Sequence, residues 1–128
     1  MQARQFNSAV AQQQTISEPV SFDGVGLHSG QKVNMTFLPA EPNSGIRFRR
    51  VDLDGKPEIM ASVEHVSDTT RSTTLSKGNI KIHTVEHILA TFRGFEIDNA
   101  IVELDANEPP IGDGSAREDC RMIKTSGT

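Results

Sequence analysis

A short run, His83-Thr84-Val85-Glu86-His87, puts two imidazoles and a carboxylate within about one and a half helical turns. Val85, Ile88, Leu89 and Phe92 then recur at i, i+3, i+4 and i+7. That spacing predicts a helix from Thr84 to Gly94 with those four residues facing the core. At about 100° per residue, His83, Glu86 and His87 fall on the opposite side. Imidazoles bind zinc, and a catalytic zinc site takes three protein ligands while keeping one position open for water. A neighbouring Glu can then serve as general base. As written, H-x-x-E-H is the spacing of inverted zincin proteases. The same residues also suit a solvated polar helix face. A Glu in the first turn is favoured by about 0.3–1 kcal/mol through the helix dipole, catalysis or not. The residues alone leave both readings open.

Three further stretches could carry chemistry. His28 sits in the glycine-punctuated run Gly24-Val25-Gly26-Leu27-His28-Ser29-Gly30, whose glycines permit positive φ or a close approach by another group. A hairpin loop is the plainer reading, because no strand-to-helix context for a dinucleotide or P-loop site surrounds it. Ser67 to Thr74 is a hydroxyl-rich run that either lines a cleft or forms a solvated turn and edge strand. Asp113 and Ser115 read first as a helix start, Ser115 and Glu118 having capping-box spacing.

The elements that must position these residues are mostly strands. Ile16, Val20 and Phe22 share a face at period two, and Val33, Met35 and Phe37 alternate with Asn34 and Thr36, so the two segments predict a hairpin. Strands are expected at Ile46 to Val51, around Ile59 to Val66, at Ser72 to Leu75, at Ile80 to Ile82 and at Asn99 to Leu104. Turn chemistry at Asp52 to Pro57 and Ser76 to Asn79 separates them. A second helix follows Gly114, with Ala116, Cys120 and Ile123 on one side. The expected fold class is α+β, a two-layer sandwich of a mostly antiparallel sheet with two helices on one face. Residues 1–14 read as a mobile, disordered tail ahead of a domain over residues 15–128.

Bulk properties narrow the class. A chain of 128 residues suits one domain, and with no Trp or Tyr its six Phe and the aliphatics must fill the core. A net charge of -4 supplies no basic field for nucleic acid, and Arg47, Arg49 and Arg50 are followed closely by acids. The single Cys120 excludes an internal disulfide and fits a reducing compartment. No apolar run approaches the roughly 20 residues of a transmembrane helix, and the N-terminus lacks a signal-peptide core, so the cytoplasm is the expected location.

Taken in order, several segments resemble the UDP-3-O-acyl-N-acetylglucosamine deacetylase family of zinc amidases, which serve lipid A synthesis in Gram-negative bacteria. The matching residues are Gly24 to Gly30, Phe48-Arg49-Arg50-Val51-Asp52, Asp68-Thr69-Thr70, Thr84-Val85-Glu86-His87, Ile97-Asp98-Asn99-Ala100 and Pro110 to Ser115. They span about Thr15 to Ser115. The resemblance implies two similar α+β domains packed through their helix layers, with the active site between them. It assigns His87 as a zinc ligand and Glu86 as the general base, and leaves His83 outside the ligand set. Asp68, Thr69, Thr70 and Arg71 resemble the substrate-facing strand and loop.

This chain resembles the first of the two domains. The family's remaining zinc ligands, in a His-Lys-x-x-Asp motif, have no counterpart up to Thr128. The resemblance therefore implies a missing C-terminal domain, an incomplete Zn2+ site and an exposed, partly apolar helix layer, with homodimerisation as a substitute cover. Asp119 stands where a large apolar residue facing that partner domain is expected. The implied substrate is UDP-3-O-acyl-N-acetylglucosamine, with the chain silent by itself. The rival readings are a non-catalytic, self-associating structural module and an inverted zincin protease using His83, Glu86 and His87.

Overall fold

The computed structural model describes residues 12–69, 72–110 and 117–128. Among the described residues, eight strands and two helices follow one another. They are β1 (Val20–Val25), β2 (Lys32–Pro39), β3 (Ile46–Arg50), β4 (Glu58–Met60), β5 (Val66–Asp68), β6 (Thr74–Lys77), β7 (Ile80–Ile82), α1 (Glu86–Gly94), β8 (Ala100–Leu104) and α2 (Arg117–Ser126). The expected α+β class is what these elements form. The strands divide, however, into a five-stranded sheet ordered β1-β2-β8-β3-β4 and a three-stranded sheet ordered β5-β6-β7.

The expected strand from Ile59 to Val66 breaks in the middle, and that break divides the sheet. After Met60 the chain makes a single 3-10 turn over Val63–His65. His65 Nδ1 lies 2.8 Å from the Met60 carbonyl and fastens the bend. β5 therefore starts in a new direction and pairs with β6 rather than extending β4.

In the large sheet, period-two burial follows the sequence. Val33, Met35 and Phe37 are buried on β2, and Ala100, Val102 and Leu104 on β8. β1 and β2 form the expected hairpin, with Phe22 opposite Met35. β8 pairs antiparallel with β2 and parallel with β3. The β3–β8 crossover carries the small sheet and α1, as a parallel pair requires a long connection. Phe92 of α1 meets Phe37 of β2 with ring centroids 4.9 Å apart. A single apolar cluster gathers Ile16, Phe48, Ile59, Leu75, Ile82, Val85, Ile88, Phe92 and Ile123 from both sheets and both helices.

Three expectations about the chain's ends change. Gln13 and Gln14 belong to the fold and not to the tail. The Gln14 carbonyl accepts the Asp98 and Asn99 amides, and Gln13 Oε1 accepts from Asn43 and Asn99. On α2 the buried side is Asp119, Met122, Ile123 and Ser126, with Cys120 half-buried; Ser115 and Ala116 lie outside the described residues. The helix layer is also less apolar than expected. Among the described residues the exposed large hydrophobics are Val25, Leu27, Leu53, Val63 and Val66, none of them on α1 or α2.

Candidate active site

α1 begins at Glu86, two residues later than its sequence pattern predicts. Thr84 has φ of 61°, a left-handed conformation that is a true outlier for a β-branched residue. His83 therefore precedes the helix. Its backbone N–H donates to the Asn107 carbonyl at 2.8 Å, and its Nδ1 lies 3.1 Å from Thr74 Oγ1. The expected grouping of His83, Glu86 and His87 on one helical face does not form. The inverted zincin spacing is thus a coincidence of sequence.

Glu86 and His87 do stand together on the first turn of α1. Glu86 is half-buried and His87 exposed, while Val85 and Ile88 on either side are buried in the core. The Thr73 N–H donates to Glu86 Oε1 at 3.0 Å, and the Val85 N–H donates to the Thr73 carbonyl at 3.2 Å. The residue just before β6 is thereby clamped to the helix start. A shallow groove lined by Thr73, Glu86, Leu89, Ala90, Arg93 and Gly94 runs from there along α1.

The hydroxyl-rich run reaches the same place. Asp68 ends β5 opposite Thr74 of β6, and Asp68 and Thr69 are both exposed. The strand end bearing them is thus one residue along β6 from the Thr73 clamp. Thr70 and Arg71, the other two expected substrate contacts, lie outside the described residues.

Asp119 departs from expectation. It is 7% exposed and faces into this domain, not outward toward a partner. Burial pushes its carboxyl up to about 6, against a downward pull from His87 and a further upward push from Glu118. The carboxylate therefore sits within electrostatic reach of His87, on the second helix of the layer.

Sequence reading missed Glu108. This carboxylate is 2% exposed, accepts from the His28 and Ser29 amides and from Thr84 Oγ1, and lies 2.7 Å from His28 Nδ1. A glutamate in a Pro-rich loop carries no local signal of burial. Its partners lie about 80 and 24 residues earlier in the chain. His28 is thereby brought to the approach of α1. The arginine cluster is neutralised, as the adjacent acids suggested. Arg49 pairs with Glu58 and Glu103, and Arg50 with Asp52.

For zinc, the donor set is partial. His87 offers an exposed imidazole beside a carboxylate, which suits one ligand and one base. Among the described residues no group of three His, Cys, Asp or Glu converges to hold a metal. The pair by itself fits one ligand and one base of a zinc site and falls short of a full donor set.

The family model of LpxC, UDP-3-O-acyl N-acetylglycosamine deacetylase, matches residues 13–128. The chain belongs to this deacetylase family. Three curated UDP-3-O-acyl-N-acetylglucosamine deacetylases resemble it over 90% of its length. That from Methylococcus capsulatus is 51% identical, and those from Teredinibacter turnerae and Saccharophagus degradans are each 49% identical. The chain spans 38% of the length of each of these deacetylases. Among the described residues of this deacetylase-family chain, no helix is long and apolar enough to cross a membrane.

Proposed function

We propose that this chain forms the first lobe of a zinc-dependent deacetylase that removes the acetyl group from UDP-3-O-acyl-N-acetylglucosamine. The observation that carries the reading is the α1 start, where a clamped, half-buried Glu86 stands beside an exposed His87. In the reaction, water adds to the acetamido carbonyl, the C–N bond breaks, and acetate and a free amine are formed. Zinc, when bound, supplies Lewis-acid activation of carbonyl and water.

The chain's own residues do the following. His87 offers one imidazole nitrogen as a metal ligand. Glu86 takes the proton from the attacking water and is the donor to the departing amine. Among the described residues, one oxygen of Glu86 is held by the Thr73 amide and the other carries no hydrogen bond. That arrangement fixes the carboxylate while keeping an acceptor available. Asp68 and Thr69 supply a substrate-facing edge near it, and the family resemblance gives Thr70 and Arg71 the same role.

The remaining ligands come from a second lobe against α1 and α2. The polar outer faces of these helices favour such a lobe over a homodimer held by apolar contact. The half-buried free thiol of Cys120 suits the cytoplasm as its address.

The test is kinetic, in protein that includes the second lobe. Glu86→Gln should keep zinc stoichiometry and lower kcat by roughly 10²–10⁴-fold. His87→Ala should lose the metal. Undiminished kcat in Glu86→Gln would remove the assignment.

A further inference from the structure

We propose that Glu108 is the positioning residue for His28, holding its imidazole as the Nδ1–H tautomer with Nε2 turned outward beside the start of α1. The assignment begins with how the carboxylate is used. Oε1 accepts the backbone N–H groups of His28 and Ser29 at 2.9 and 3.1 Å. Oε2 lies 2.7 Å from His28 Nδ1 and accepts Thr84 Oγ1–H at 2.9 Å.

An ionised carboxylate accepts and cannot donate, so the ring nitrogen facing it must carry the proton. Glu108 is ionised despite its burial. Desolvation raises its pKa, but the bonds from His28, Ser29 and Thr84 together hold it below the ordinary carboxylate range. Its partner ring is 53% exposed, so the edge opposite the carboxylate is the edge that meets solvent.

The surroundings are shaped to admit this carboxylate. A Cβ on Gly26 would lie 2.6 Å from Glu108 Oε1, and a Cβ on Gly24 would lie 2.6 Å from Pro110 Cβ. Gly26 also pairs with Pro110 in an isolated antiparallel bridge. The glycine turn is thus glycine-rich at these two positions because the segment after β8 closes directly onto it. Thr84 is the third anchor, two residues before Glu86.

A polar group arriving at the α1 start therefore meets an imidazole of set orientation. Its Nε2 is an acceptor when the ring is neutral and a donor when it is protonated. That consequence rests on the site proposed above; the tautomer does not.

The experiment is a two-bond proton–nitrogen correlation on the 128-residue chain with ¹⁵N-labelled histidine, at about pH 8.5, roughly two units above the ordinary imidazole value. His28→Gln identifies the signal. The parent chain should show the Nδ1–H tautomer. Glu108→Gln should invert it, because the amide oxygen stays with the two backbone N–H donors and its NH₂ then faces Nδ1. Thr84→Val, which leaves the carboxylate in place, should keep Nδ1–H. An Nε2–H ring in the parent overturns the proposal, as does an unchanged ring in a folded Glu108→Gln or inversion in Thr84→Val. Should Glu108→Gln fail to fold, the parent and Thr84→Val spectra decide. None of these readouts needs zinc or turnover, so failure here is distinct from failure of the deacetylase reading.

Discussion

Thr84 shows how much one residue is asked to do at the entry to α1. Its left-handed φ of 61° costs about 1–3 kcal/mol for a residue of its type. Its hydroxyl recovers part of that by donating to the buried Glu108 carboxylate. Such bonds to a charged group contribute roughly 1.5–3 kcal/mol. Thr84→Val keeps the shape and the strain but loses the donor. It should lower unfolding free energy by about 1.5–3 kcal/mol, read from denaturant midpoints at constant m. An unchanged midpoint would mean that Oε2 is satisfied without Thr84. The sequence gives no hint of this role, since a Thr ahead of a helix reads as an ordinary N-terminal residue. The backbone conformation and the distant carboxylate are both tertiary facts.

At the scale of elements, α2 carries a charge on its inward side. Asp119 lies with Met122, Ile123 and Ser126 on the buried face, its pKa pushed up to about 6 by burial. An unfolded aspartate titrates near 3.9, so the folded form holds its proton more tightly. The favourable contribution is thus fully present below about pH 4 and is lost as pH rises through about 6. A shift of about two units corresponds to roughly 3 kcal/mol of differential cost at neutral pH. Asp119→Asn should therefore stabilise the chain by about 1–3 kcal/mol at pH 7 and change little at pH 4. Chemical denaturation at the two pH values checks this. Equal effects at both would show that the carboxyl is not desolvated in the folded state. The other end of α2 is stapled to the N-terminal segment, Ser17 N–H donating to the Gly127 carbonyl at 2.8 Å. The amphipathic pattern of α2 was legible as a helix, but the inward turn of Asp119 was not. A helical wheel marks a charged residue as outward by default.

For the whole molecule, the donor count sets the expected behaviour. One imidazole and one carboxylate at the α1 start fall short of the three protein ligands usual for a catalytic zinc. The chain by itself should bind zinc weakly and release no acetate from UDP-3-O-acyl-N-acetylglucosamine at saturating metal. Calorimetric titration and an acetate assay check both points, and turnover by the chain alone would contradict the two-lobe reading. The sequence by itself determined the strands of alternating apolar residues, the β1–β2 hairpin, the α1 stripe ending in Phe92 and the Glu86-His87 pair. Those features are local, set by side-chain period and turn chemistry within a dozen residues. Tertiary structure decided the division into two sheets, the removal of His83 from the helix, the inward turn of Asp119 and the burial of Glu108 under the glycine turn. Each depends on groups far apart along the chain, and a buried charge is tolerated only where the fold delivers enough donors to it.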